Sequence, residues 1–321
     1  MRRALICGVT GQDGAYLARL LLHRGYEVWG TSRAAATADT SSLVALGIAA
    51  HVRIISMVPQ DIQSVSAALK CAAPDEIYNL AGQSSVALSF KQPAEALQSI
   101  TLGALNLLEA MRLGDQSARL YNASSSECFG DLGGVPAIEA TPFLPRSPYA
   151  VAKSSAHWLV ANYREAYGLF VCSGILFNHE SPLRPERFVT RKIVEGVCAI
   201  KRGTRHRLTL GRLDIARDWG WAPEFVDAMW TMLQQPSADD YVIATGQSFT
   251  LEQFVATAFA AVGLDWHDHV DLDPAMMRPT DLPWSGGDPA KAARNLGWHA
   301  KRAMPDVVRS MMDSTLAQAP L

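Results

Sequence analysis

The sequence predicts an α/β fold, a doubly wound parallel sheet with a smaller C-terminal α/β lobe. Three observations predict it. Short apolar runs alternate with amphipathic stretches through the first half of the chain. A glycine-rich turn links the first of these runs to the first amphipathic stretch. The regular alternation then fades near Pro182 and Pro185, where charged and aromatic residues mix.

The strand candidates, in order, are "ALICGV", "YEVWGTS", "VRIIS", "EIYNLAG", "RLYNAS" and "LFVCSGILF". Between them lie the helical patterns "YLARLLLHRG", "DIQSVSAALKCAA" and "ALNLLEAMRLG", with stop signals at Gly25, Pro74 and Gly114. Near-continuous apolar strands separated by helices imply a parallel sheet covered on both faces, and right-handed crossovers make it doubly wound. In the second half, "FTLEQFVATAFAAVG" reads as a helix with Thr250 as N-cap. "DPAKAARNLGW" reads as a short helix opened by Asp288 and Pro289 and stopped by Gly297. Residues 1–175, with about 215–245, are expected to form the nucleotide-binding sheet domain, and residues 176–321 a discontinuous substrate-binding lobe.

Composition narrows the function. A chain of 321 residues, 49% hydrophobic and 19% charged, reads as a soluble globular protein with ample core. A net charge of −2 gives no electrostatic case for nucleic acid or a membrane surface. No run approaches the roughly 20 apolar residues that span a bilayer. Five scattered cysteines without a CxxC pair suit a reducing compartment, so a cytoplasmic location is expected. "DWHDHVDLD" carries two histidines and four aspartates, but their spacing fits no compact ligand set, and no metal is expected.

The motif "ICGVTGQDGAYLARLL" places Gly8, Gly11 and Gly14 in a strand–turn–helix context, with Gln12 and Asp13 between them. Glycines let the backbone approach a pyrophosphate that then sits on the helix N-terminus, so this is a dinucleotide site. After the second strand, where NAD sites usually carry an acid, the chain reads "GTSRAAAT", with Ser32 and Arg33 and no carboxylate. A guanidinium there suits the 2′-phosphate of NADP; NAD remains open, since a solvated surface arginine is the alternative.

Tyr149 and Lys153 are four apart in "SPYAVAK", so on a helix they share a face and the ammonium favours phenolate. The stretch "LYNASSSECFG" places Ser125, Ser126 and Glu127 just beyond the fifth strand. That carboxyl edge is where open α/β sheets bind ligands.

With these residues in place, the chain resembles the extended short-chain dehydrogenases/reductases, and within them the GDP-mannose 4,6-dehydratase family. The resemblance runs nearly end to end, through "GVTGQDGAYLARLLL", "DEIYNLAGQSSVA", "TPFLPRSPYAVAK", "NHESPLR", "FVTRKI", "RDWGWAPEFVDAMWTMLQQ" and "GDPAKAARNLGW". It implies a Rossmann domain and a GDP-sugar substrate that is oxidised at C4, dehydrated across C5 and C6, and reduced at C6. Tyr149 would take the hydroxyl proton and Glu127 the C5 proton. Ser125, where the family has threonine, would bond O4, and Ser126 would assist. The resemblance also implies cofactor contacts from Leu80, Ala81, Gln83 and Ser84 and from His179 and Arg184. It implies substrate contacts from Asn178, Lys192, Arg217 and Arg278, and a homodimer or homotetramer.

The chain departs from the family pattern in three places. "SRAAAT" keeps one arginine of an expected pair. "ISMVPQD" puts Val58 where an adenine-contacting aspartate is expected. "QSITLGALN" puts Ile100 and Thr101 where more polar residues are usual. All three departures are expected on the cofactor side, weakening or altering dinucleotide preference. A dehydratase of another GDP-sugar such as a GDP-heptose, a GDP-4-keto-6-deoxymannose reductase and a non-catalytic dinucleotide sensor are the alternatives.

Overall fold

The computed structural model describes residues 1–114, 117–276 and 280–317. The first half runs β1 (Arg3–Cys7), α1 (Gln12–His23), β2 (Glu27–Ser32), α2 (Ser41–Ala45), β3 (Val52–Ser56), α3 (Ile62–Ala72), β4 (Glu76–Asn79), α4 (Val86–Lys91), α5 (Pro93–Ala96), α6 (Gly103–Leu113), β5 (Arg119–Ser125), α7 (Pro148–Tyr167) and β6 (Val171–Leu176). The second runs β7 (Asn178–Glu180), α8 (Val189–Lys201), β8 (Leu208–Leu210), β9 (Ala216–Trp221), α9 (Ala222–Leu233), β10 (Tyr241–Ile243), β11 (Ser248–Thr250), α10 (Leu251–Ala260), β12 (Val270–Leu272), β13 (Trp284–Ser285), α11 (Ala290–Leu296) and α12 (Met304–Ala317).

Seven strands form one parallel sheet in the order β3–β2–β1–β4–β5–β6–β10. The order reverses direction between β1 and β4, the switch point at which doubly wound sheets open a crevice. Period-two alternation loads both faces. Ala4 and Ile6 of β1 pack with α1 and α9 through Leu17, Leu21, Phe225 and Met229. Leu5 and Cys7 face the other way, onto Val65 and Leu69 of α3, Leu107 and Met111 of α6, and Val160 of α7. Burial pushes the Cys7 thiol up to about 12, and Cys172 is raised the same way, as fits small core residues.

The rest of the chain builds a second layer. β9 pairs with β7, β11 and β13 in a small mixed sheet, and β8 with β12 in a two-stranded one. A core of Ile193, Val197, Phe254, Phe259, Val307 and Met311 joins α8, α10 and α12 around the buried Trp219. Residues 222–243 return to the large sheet as α9 and β10. The segment "DWHDHVDLD" holds β12, because Val270 and Leu272 register against Leu208 and Leu210. Among the described residues no helix is long and apolar enough to cross a membrane.

Candidate active site

The turn after β1 is built for close backbone approach. Gly8 lies at φ +84°, a region L side chains rarely enter. A Cβ on Gly14 would stand 2.3 Å from the Gly8 carbonyl oxygen, so glycine lets α1 close on the turn. Gly11 caps α1 without a side-chain hydrogen bond. The first-turn N–H groups therefore meet the cleft above with no side chain folded over them.

That cleft holds about 860 Å³. Its floor is Gly8, Gly11, Gln12, Asp13 and Gly14, and its end beyond β2 and β3 is Thr31, Ser32, Arg33, Met57, Pro59 and Gln60. Leu80, Ala81, Gln83 and Ser84 line its wall after β4, and Arg184, Pro185, Arg187 and Phe188 close it from the segment between β7 and α8. Helix-end donors and cations around the cleft fit a dinucleotide's pyrophosphate. Arg33 has its guanidinium 3.9 Å from Glu95 of α5, and both are well exposed. Val58 is exposed and its N–H donates to Ser64 at 2.9 Å.

Beneath the floor a polar knot ties α1 to β7. The Asp13 carboxylate meets His179 Nε2 at 2.8 Å, and His179 Nδ1 meets the Phe177 carbonyl at 2.7 Å. Gln12 donates to Asp13 at 3.0 Å and to the His179 carbonyl at 3.2 Å, while Ser181 donates to Gln12 at 2.8 Å. Burial disfavours both charges, but the two partners' attraction outweighs it. Asp13 ends below its ordinary range and His179 above. His179 also stacks on Phe225, with ring centroids 4.6 Å apart, and does not line the cleft. It stands behind Asp13 instead.

The sheet's carboxyl edge presents the second group. β5 ends at Ser125, whose hydroxyl accepts from the Glu127 N–H at 3.3 Å across the short helical turn Ser126–Phe129. Gly130 reverses the chain at φ +70°, where a Cβ would meet the Leu144 carbonyl at 2.1 Å. Ser147 then caps α7 by accepting from Ala150 at 3.1 Å, with Pro148 in the first turn. Tyr149 and Lys153 follow on one face. Lys153 Nζ donates to the Ala123 carbonyl at 2.7 Å and lies 5.8 Å from the Tyr149 ring centroid.

Burial lowers Lys153 to about 8. Burial raises the Tyr149 phenol; a hydrogen bond with Ser125 opposes the rise, and Cys128 and Glu127 add to it. Burial thus outweighs any lowering by the Lys153 ammonium, and the phenol stands above its ordinary value. The ammonium is directed at a main-chain carbonyl, and the burial of both groups dominates. The charges of Arg184 and Asp13 reach Tyr149 and Lys153 respectively, so the two groups of residues adjoin. Ile100 and Thr101, expected on the cofactor side, instead support α7. Ile100 packs with Ala152, Ala156 and Tyr149, and Thr101 donates to the Ala152 carbonyl at 3.1 Å.

The smaller lobe contributes Asn178, half-buried at the start of β7, and Lys192 on α8. Lys192 donates to the Thr209 carbonyl at 2.8 Å and is pushed down by burial. Arg217 on β9 is buried, donating to the Ala216 and Leu282 carbonyls and pairing with Asp281 at 3.2 Å. Arg278 lies outside the described residues.

Against known proteins, the family model described as GDP-mannose 4,6 dehydratase matches residues 5–311. The chain belongs to the GDP-mannose 4,6-dehydratase family. GDP-mannose 4,6 dehydratase 1 of Arabidopsis thaliana is 45% identical over 98% of this chain and 90% of its own length. GDP-mannose 4,6-dehydratase of Vibrio cholerae is 40% identical over 99% and 95%. Among solved structures, UDP-glucose 4-epimerase of Thermus thermophilus in complex with NAD superposes with a TM-score of 0.87. It is 25% identical and covers 99% of this chain and 100% of that one.

Within this dehydratase family fold, three cleft residues carried no sequence signal. Glu95, Gln60 and Arg187 are single polar residues in segments without periodicity, and only tertiary packing brings them to the cleft.

Proposed function

We propose that this chain is a lyase that converts GDP-mannose, or a close GDP-sugar, to its 4-keto-6-deoxy form. The observation that carries the reading is the gathering of Ser125, Glu127 and Tyr149 at the carboxyl end of β5. A simple reductase needs the tyrosine and a hydroxyl but no carboxylate beside the sugar.

A nicotinamide dinucleotide, when bound, supplies the hydride acceptor for C4 and the hydride donor for C6. Gly8, Gly11 and Gly14, with Ser84 and Arg184, would hold it, and Arg33 favours its 2′-phosphorylated form, NADP. Ser125 hydrogen-bonds O4 while Tyr149 accepts the O4 proton as phenolate, a form that burial disfavours and the Lys153 ammonium beside it favours. The C4 ketone acidifies C5–H by delocalising the carbanion onto oxygen, so Glu127 can remove that proton. The C6 hydroxyl leaves as water with the proton that Glu127 took from C5, and Ser126 would assist. Asn178, Lys192, Arg217 and Arg278 would hold the GDP moiety, the cations facing its diphosphate.

The exposed Val151 and Trp158, a helical repeat apart on α7, support assembly as a homodimer or homotetramer. Five free cysteines support a reducing, cytoplasmic setting. The decisive experiment is incubation of the purified protein with GDP-mannose and no added NADPH. A 4-keto product, seen by its alkaline enone absorbance and by mass loss of water, supports the dehydratase. Untouched GDP-mannose with turnover of a 4-keto sugar nucleotide would make it a reductase instead.

A further inference from the structure

Three cations line the cleft: Arg33, Arg184 and Arg187. Arg33 faces Glu95, and Arg184 pairs with the buried Glu180 at 3.1 Å. Among the described residues Arg187 has no ion-pair partner. Its one hydrogen bond runs from Nη2 to the Ser84 hydroxyl at 3.3 Å. That contact joins the segment between β7 and α8 to the loop after β4, so the side chain lies across the cleft. Arg187 and Arg184 share one aromatic neighbour: the Arg187 guanidinium lies 5.0 Å from the Phe188 ring centroid, and Arg184 lies 3.8 Å from the same ring. Burial and the neighbouring Arg184 both lower Arg187, the direction expected of a cation lacking a counter-anion.

We propose that Arg187 is a diphosphate-binding residue that swings from Ser84 onto a nucleotide's phosphates and, with Arg184, straps them into the cleft. A planar guanidinium fits phosphate oxygens bidentately, and a hydroxyl partner is easily exchanged for an anion. The inference rests on the dinucleotide and GDP-sugar reading above. The diphosphate has two sources, the dinucleotide's pyrophosphate or the GDP moiety.

The test is isothermal titration calorimetry of the full chain and its R187Q and R187K variants with NADPH and, separately, with GDP. Loss of a charge-assisted phosphate contact predicts affinity about 10- to 100-fold weaker in R187Q, with R187K recovering part of it. Weakening confined to NADPH assigns the strap to the dinucleotide, and weakening confined to GDP assigns it to the substrate. If the wild type binds both and R187Q matches it within about twofold for both, the inference is overturned and the function reading stands. A wild type that binds neither nucleotide overturns both.

Discussion

The Lys153 ammonium donates to the Ala123 carbonyl at 2.7 Å, stapling the second turn of α7 to the last residues of β5. One bond thereby fixes the distance between the tyrosine's helix and the serine–glutamate edge. It also places a buried amine, lowered to about 8, beneath the phenol. A lowered lysine loses its proton as pH rises through that value. Turnover that needs the ammonium should therefore fall above about pH 8. Lys153→Arg, whose charge persists, should move that limb to higher pH while lowering kcat; a pH–rate profile of both forms checks it. An alkaline limb unmoved by the substitution would show that another group sets it.

Glu127 sits two residues past the hydroxyl that faces Tyr149, and its N–H is held by Ser125. The proposed base for C5–H is thus anchored by its own backbone. Glu127→Gln keeps the volume and removes the basicity. Dehydration should drop by about 10²- to 10⁴-fold, the usual worth of a positioned general base. GDP-mannose binding should persist, measured by calorimetry. Near-normal turnover in the variant would remove Glu127 from this role.

Much of this arrangement was legible in the chain, and the rest has physical reasons for its silence. "VRIIS" coincides with β3, while "ALICGV" and "EIYNLAG" overrun β1 and β4. β1 ends early because Gly8 turns into positive φ there. Thr250 forms the expected cap as a full capping box, Asp288 accepts from Ala290 at 2.9 Å, and Gly297 stops α11 at φ +64°. β7, β8 and β13 stayed hidden because strands of two or three residues carry no period, and their partners are distant in sequence. At the site, Ser125, Glu127, Tyr149 and Lys153 were readable as spacing within short segments. The Arg33–Glu95 and Asp13–His179 pairs were not, since their members lie 62 and 166 residues apart.

The Asp13–His179 bond makes a pH-dependent contribution to stability whose sign follows from the two shifts. The histidine is raised in the folded protein, so its contribution is complete below about pH 6.5, the unfolded value, and is lost as pH rises through the higher folded one. The aspartate is lowered, so its contribution is present above about pH 4 and is lost as pH falls through the lower folded one. The pair is therefore most stabilising between those limits, near pH 5 to 6. His179→Gln should lower Tm more at pH 6 than at pH 8.5, followed by circular dichroism. An equal drop at both values would mean that the lost stacking on Phe225, not the charge, is responsible.

Arg33 and Glu95 face each other at the end of the cleft beyond β2, 3.9 Å apart, where the proposed dinucleotide would put its adenosine. A 2′-phosphate placed there would gain the guanidinium and meet the carboxylate, whereas a 2′-hydroxyl could donate to the carboxylate. The two side chains therefore pull cofactor preference in opposite directions. Arg33→Ala should weaken NADP by about tenfold, the lower end of a charge-assisted contact, and NAD much less. Glu95→Gln should strengthen NADP and weaken NAD, because it removes a repulsion from one and a good acceptor from the other. Fluorescence titration of both reduced dinucleotides against each variant measures this. Equal losses for the two cofactors in Arg33→Ala would remove the 2′-phosphate role, and an unchanged ratio in Glu95→Gln would reduce the carboxylate to a surface charge.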